Sequence, residues 1–198
     1  MRVNNQLPSS RWYSGSGIYR NVHLVVTDPI HVARHGVFVT TPDLENTIRS
    51  GYANVHADTR VEGGDATVVS TVRDARGRRV ARSSGSDLRV RHPHLWSTED
   101  PYLYTLETTL IARHRVLDRV STRFGIRWFR IDPNQGLYLN GRHLKVYGVD
   151  LHHDQGALGA AINRDALVRQ MKIMKSMGVN AFRTSHNPPS PEMVDVCQ

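Results

Sequence analysis

The sequence predicts a mainly β chain: an immunoglobulin-like β-sandwich followed by a βαβ unit that opens a parallel sheet. Two observations carry this reading. About seven short runs of β-forming residues, divided by turn signals, fill the stretch from Ile30 to Asp132, which is the pattern of such a sandwich. The periodicity then changes, and an Asn-Gly hairpin, a buried strand, one amphipathic helix and a second strand follow in order.

The sandwich strands are read over Val32–Thr41, Ala53–Val61, Thr67–Val72, Arg79–Ser83, Asp87–Val90, Leu103–Ile111 and Val116–Phe129. Pro42-Asp43, Gly63-Gly64-Asp65, Asp74-Ala75-Arg76-Gly77 and Asp100-Pro101 punctuate them. Before the sandwich, Ile18–Thr27 is rich in β-formers and partly alternates, so it reads as the strand-like end of something larger. After it, Leu137-Tyr138-Leu139 and Leu144-Lys145-Val146 flank Asn140-Gly141, a pair that tolerates the positive φ angles of a type I′ turn. Val146–Asp150 reads as a strand. Leu167, Val168, Met171, Met174 and Met177 share one helical face, with Asn163 as N-cap, Asp165 at the positive end of the dipole and Gly178 as the stop. Val179–Thr184 is the second strand, and strand, helix, strand implies a parallel pair with more strands to come. Asp150, His152 and His153 follow the first strand, and Arg183, Ser185 and His186 end the second. In a closed βα-barrel these are the strand ends where chemistry collects.

Composition narrows the function classes. At 198 residues and 39% hydrophobic content the chain is globular and long enough for packed cores. Lys and Arg outnumber Asp and Glu by 26 to 18, a net +8, yet no dense basic run exists. A weak attraction to polyanions is the plain consequence, and neither a nucleic-acid nor a membrane partner is expected. The single Cys197 rules out an intrachain disulfide and a cysteine zinc site. No apolar run approaches the roughly 18 residues of a membrane span, and the start of the chain has no signal core. The chain reads as soluble, with the compartment undetermined.

The string Asn180-Ala181-Phe182-Arg183-Thr184-Ser185-His186-Asn187-Pro188 resembles the first signature of glycoside hydrolase family 2, with Asn187 in place of the usual Tyr. The resemblance spans the chain. Ser14-Gly15-Ser16-Gly17-Ile18-Tyr19-Arg20 is similar to the end of the family's sugar-binding jelly roll. Leu95-Trp96-Ser97, Pro101-Tyr102-Leu103-Tyr104 and Phe124-Gly125-Ile126-Arg127 resemble its immunoglobulin-like domain. Leu139-Asn140-Gly141 and Gly148-Val149-Asp150-Leu151-His152-His153-Asp154 resemble the opening of its catalytic barrel. This implies three parts: a jelly-roll remnant over 1–29, the sandwich over 30–132, and an incomplete (β/α)8 TIM barrel over 133–198. His-His-Asp followed by Gly156-Ala157-Leu158-Gly159-Ala160-Ala161 looks most like β-galactosidases, with β-glucuronidases and other family 2 glycosidases as the alternative.

The resemblance implies a retaining mechanism in which two carboxyl groups about 5 Å apart flank the scissile bond. Both would be glutamates on barrel strands beyond Gln198. Glu99, Asp100 and Glu192 read as solvated or capping acids, and Asp150 and Asp154 have no second strand's carboxylate opposite them. No catalytic acid or nucleophile is therefore assigned to this chain, which is expected to be inactive alone. By resemblance, His152 and His186 line the sugar site, Arg183 holds a neighbouring carboxylate, and Asn4 matches a sugar-contacting position. A metal site from His152, His153, Asp154 and His186 is disfavoured because adjacent strand residues point to opposite faces. No cofactor is expected on this chain, and the magnesium of intact family members would be bound downstream. Intact members are often homo-oligomers. Trp12, Trp96 and Trp128 raise the idea of a sugar-stacking platform, but Trp96 reads as packing and the Met stripe as core. Two rival classes remain: a non-catalytic sugar-binding sandwich, which has no reason to end in βαβ, and a polyanion binder, which the even spread of Arg disfavours. A barrel begun with two strands leaves its sheet edges unpaired, so that part is expected to fold poorly or to dock on another chain.

Overall fold

Seven antiparallel strands build the sandwich. They are β1 (His31–Thr40), β2 (Tyr52–Glu62), β3 (Thr67–Arg73), β4 (Arg79–Ser83), β5 (Asp87–Arg91), β6 (Tyr104–Ala112) and β7 (Arg115–Phe124). One sheet has the order β1-β2-β5 and the other β4-β3-β6-β7. Each expected strand is present within a few residues, except that the last run stops at Phe124 instead of continuing to Phe129. A short helix, α1 (Leu44–Thr47), fills the turn after Pro42-Asp43 and buries Leu44. The computed structural model describes residues 17–186 and 188–198. These form two units, residues 25–145 and residues 17–24 with 146–198.

Alternation builds the sandwich core. In β2, Ala53, Val55 and Ala57 turn inward, and Leu88 and Val90 of β5 continue that layer. Val72, Leu106, Tyr104 and Phe124 come from the facing sheet. Each large side chain buried here contributes about 1.5–3 kcal/mol. The motif residues are the joints of this core. The chain leaves the β7 ladder at Gly125 because Trp96 N donates to Ile126 O at 2.9 Å, which seats Ile126 in the core. A Cβ on Gly125 would lie 2.8 Å from Trp96 Cβ, so the indole leaves no room for a side chain there. Arg127 covers the Trp96 ring at 4.7 Å. Trp96 is thus packing, and Trp128 packs partly buried against the same core.

Two further joints hold the loops. Tyr104, near the start of β6, accepts from His94 N at 2.8 Å, in the manner of the tyrosine corner of immunoglobulin-like sandwiches. His94 in turn stacks on Tyr102 with centroids 4.1 Å apart. Asp74 ties the β3–β4 turn: Oδ1 accepts from Arg76 N and Arg78 N, both at 2.9 Å, and Oδ2 from Arg78 Nε at 2.7 Å. Burial pushes this carboxyl up, but the bonds from Arg78 and Arg76 outweigh it and hold it below the usual aspartate range.

Strand β8 (Phe129–Asp132) pairs with β9 (Gly136–Leu139), which pairs with β10 (Arg142–His143). Asn140 and Gly141, at φ 51° and 78°, form the expected turn with two left-handed residues. Asn140 also accepts from Trp128 N at 3.2 Å and donates to Trp96 O at 2.9 Å. The hairpin lies in the unit of residues 25–145.

The second unit holds β11 (Gly148–Leu151), α2 (Arg164–Ser176), β12 (Ala181–Thr184) and α3 (Pro191–Val196). Strands β11 and β12 pair in parallel, giving the expected βαβ order. Asn163 Oδ1 accepts from Ala166 N at 3.0 Å, the cap read from the sequence, and Gly178 at φ 84° follows the helix end. Ser190 caps α3 in the same way through Met193 N. Leu151, Leu167 and Met193 are the core, with Met171, Met174 and Phe182 packed on it. Met177 departs from the expected stripe. It is the C-cap of α2 and is 70% exposed, beyond the last turn that the core covers. Ile18–Thr27 also departs from expectation: among the described residues it forms no strand and no neighbouring strand pairs with it. Among the described residues, no helix is long and apolar enough to cross a membrane.

Tyr104→Phe is expected to strand the His94 N–H and lower unfolding stability by about 1–3 kcal/mol, read from urea denaturation. The depressed Asp74 carboxyl stabilises the fold fully above about pH 4 and loses that effect as pH falls through its lowered value. Asp74→Asn is therefore expected to lower the melting temperature at neutral pH, read by differential scanning calorimetry. The gap to the parent chain should close in acid; a gap independent of pH contradicts the assignment.

Candidate active site

The register of two strands assembles the polar cluster. In the β11–β12 pair, Asp150 lies beside Arg183 and Leu151 beside Thr184. Alternation then places Asp150 and Arg183 on one face of the pair, and Leu151 and Thr184 on the helix-covered face. Arg183 Nη1 donates to Asp150 Oδ2 at 3.0 Å, while Nη2 donates to His186 Nδ1 at 2.9 Å. A guanidinium has no acceptor, so His186 Nδ1 must accept, and the neutral ring carries its proton on Nε2. The His152 ring meets His186 edge-on, with centroids 5.9 Å apart and planes at 76°. Ser185 N donates to Leu151 O at 2.9 Å, extending the ladder past the strand, and the Ser185–His186 peptide is cis.

The Arg183–Asp150 pair is a positioning device more than a source of stability. Both side chains are about 60% exposed, and exposed pairs contribute about 0–1 kcal/mol. Its effect is to fix the guanidinium so that the second nitrogen reaches His186. The sequence places Asp150 at a strand end with no second carboxylate opposite it and gives Arg183 a neighbouring carboxylate to hold; the parallel register shows that this carboxylate is Asp150.

The other polar residues separate into different tasks. His153 stacks on Tyr19 with centroids 5.4 Å apart, so the adjacent histidines serve different neighbours. Arg20 donates to the carbonyl oxygens of Pro188 and Pro189, and Asn21 Nδ2 donates to Glu192 Oε1 at 2.6 Å. The Glu192 carboxyl is held below its usual range chiefly by its own backbone N–H at the start of α3, and further by Asn21. Glu192 is thus a fastening acid. Glu99, also lowered, is bonded first by Thr98 in its loop. Asn4, Trp12 and Asn187 lie outside the described residues.

A cleft opens on the helix-covered side, lined by Tyr19, His152, Gln155, Leu167, Ser185 and Met193 among others. Its volume, about 30 Å³, is small beside the roughly 300–1,000 Å³ of complete small-molecule sites. The Asp150–Arg183 face is open instead. Among the described residues no three His, Cys, Asp or Glu side chains come together to hold a metal ion.

Two family models meet end to end along the chain. Residues 30–127 match the model described as glycosyl hydrolases family 2, and residues 130–198 match that of the family's TIM barrel domain. The chain belongs to glycosyl hydrolases family 2. Among family 2 relatives, it is 46% identical to beta-galactosidase BoGH2A of Bacteroides ovatus, over 100% of this chain and 25% of that protein. It is 31% identical to a beta-glucuronidase of Bacteroides fragilis, over 91% of this chain and 28% of that protein. A crystal structure of a family 2 member from Bacteroides cellulosilyticus superposes with a TM-score of 0.86 at 34% identity, covering 94% of this chain and 26% of that one. The chain therefore spans about a quarter of the length of these family 2 proteins. The fold is the family's immunoglobulin-like domain followed by the start of its TIM barrel.

Nitrogen NMR of the His186 ring is expected to show the Nε2–H tautomer in the neutral form. Arg183→Ala should return it to a tautomer mixture, and an unchanged spectrum would mean that the guanidinium does not set the ring.

Proposed function

We propose that this chain is the part of a retaining family 2 β-galactosidase that carries the supporting shell of the sugar site, the intact enzyme cleaving terminal non-reducing β-D-galactose. The observation that carries the reading is the row Asp150–Arg183–His186 with His152 at the C-terminal ends of two parallel strands, where βα-barrels gather their chemistry. The choice of galactose is supported by 46% identity to a β-galactosidase along the full chain.

In this reading the two reacting carboxyl groups, about 5 Å apart, come from barrel strands outside these 198 residues. The chain contributes donors. His186 presents its Nε2–H toward a sugar hydroxyl, and His152 lines the same site. Such bonds speed the reaction only insofar as they tighten when the sugar ring flattens toward its oxocarbenium-like transition state. Arg183 is a positioning residue, keeping the His186 ring in one tautomer while engaging Asp150. Asn4 is retained as a sugar contact by resemblance. A β-glucuronidase is the second reading, favoured by relatives of that name at 33% and 31% identity.

The test is an assay of this chain on a chromogenic β-galactoside and a β-glucuronide, alone and mixed with a chain supplying the remaining barrel. Silence alone and galactosidase activity on mixing are expected. Glucuronide turnover in its place selects the second reading, and turnover by the 198-residue chain alone overturns the placement of the carboxyl groups. In the assembled enzyme, Arg183→Ala should lower kcat by about 10²-fold or more with a smaller change in KM, since preorganised donors act mainly in the transition state.

A further inference from the structure

The arginines that look evenly spread in the sequence are gathered by the fold. On the outer face of the β4-β3-β6-β7 sheet, a groove of about 250 Å³ is lined by Arg73, Arg79, Arg82 and Arg119, with Glu107 as its one acidic side chain. Four guanidiniums face one carboxylate, a local excess of three positive charges. Register explains the gathering. Arg79 pairs with Arg73, which pairs with Thr105, which pairs with Arg123, so one row across four strands carries three arginines. The next row is Arg82, Thr71, Glu107 and Ser121, and beyond it Thr109 lies beside Arg119.

Glu107 holds two of the arginines, Arg73 and Arg119. Its two oxygens lie 3.5 Å from Arg73 Nε and 3.9 Å from Arg119 Nε. Thr71 and Thr109 form the floor, 7% and 8% exposed, beneath the long arginine stems. The outer strands, β4 and β7, are three strand spacings apart, about 14 Å, so the charges flank a channel instead of closing on a point. Among the described residues no aromatic ring lines it.

We propose that this face binds a linear glycan bearing uronate carboxylates, at a site separate from the barrel chemistry and independent of the reading of that chemistry. Guanidinium forks match planar carboxylates through paired bonds, and the arginines stand on a covered floor that leaves their charged ends exposed. Single-stranded nucleic acid would use aromatic platforms for its bases, which this groove lacks.

The experiment is calorimetric titration of the chain with polygalacturonate oligomers, neutral dextran and a DNA duplex. Polygalacturonate should bind and dextran should not. With about three neutralised charges, affinity should fall about 20-fold or more between about 50 mM and about 200 mM salt. The double variant Arg82→Glu, Arg119→Glu should abolish binding without moving the urea midpoint, both positions being exposed. Arg82→Lys, Arg119→Lys should keep the salt dependence but bind several-fold more weakly, and Glu107→Gln should bind more tightly. Undiminished binding by the charge-reversed chain, no binding by the parent, or DNA binding at least as tight as polygalacturonate would each overturn the proposal.

Discussion

The candidate site depends on one parallel register. Pairing Gly148 with Ala181 and Leu151 with Thr184 brings Asp150 beside Arg183 and sends both to the face opposite the helix-side core. A shift of one residue would turn Arg183 toward Leu167 and Met193 and would break both of its bonds. The register is enforced from the helix side, where the apolar partners are, because the polar row is exposed and adds little stability. Geometry at the site is thus maintained by residues that never touch it.

The sandwich follows the same logic with a different outcome. Its inner faces are closed by the joints at Trp96–Gly125–Ile126 and at Tyr104–His94, so its outer faces are free to carry charge. An antiparallel sheet with one wet face accumulates polar residues at every second position, and here many of those are arginine. A net charge that looked diffuse therefore becomes directional once the strands pair.

The barrel segment has the weaker internal support. Its core of Leu151, Leu167 and Met193 is small, and among the described residues β11 and β12 have no further strand beside them. The segment around Tyr19, Arg20 and Asn21 compensates in part by fastening His153, Pro188, Pro189 and Glu192. That fastening joins residues about 170 positions apart in sequence.

Local chemistry determined much of this protein directly from its sequence. The seven sandwich strands, the Asn140-Gly141 turn, the Asn163 cap and the βαβ order are set by propensity, periodicity and turn residues within a few positions of each element. The motif strings identified the family and pointed to Arg183, His152 and His186 as residues to watch. Ile18–Thr27 misled, because strand propensity forms no strand without a pairing partner. Met177 misled because helical phase continues past the last turn that the core covers. Which carboxylate Arg183 holds, which ring nitrogen of His186 accepts, and which arginines share a face were decided only by tertiary structure. The first and third depend on register between strands distant in sequence, a property of the pair that neither strand carries alone, and the second on the Asp150 bond that turns the Arg183 guanidinium toward His186.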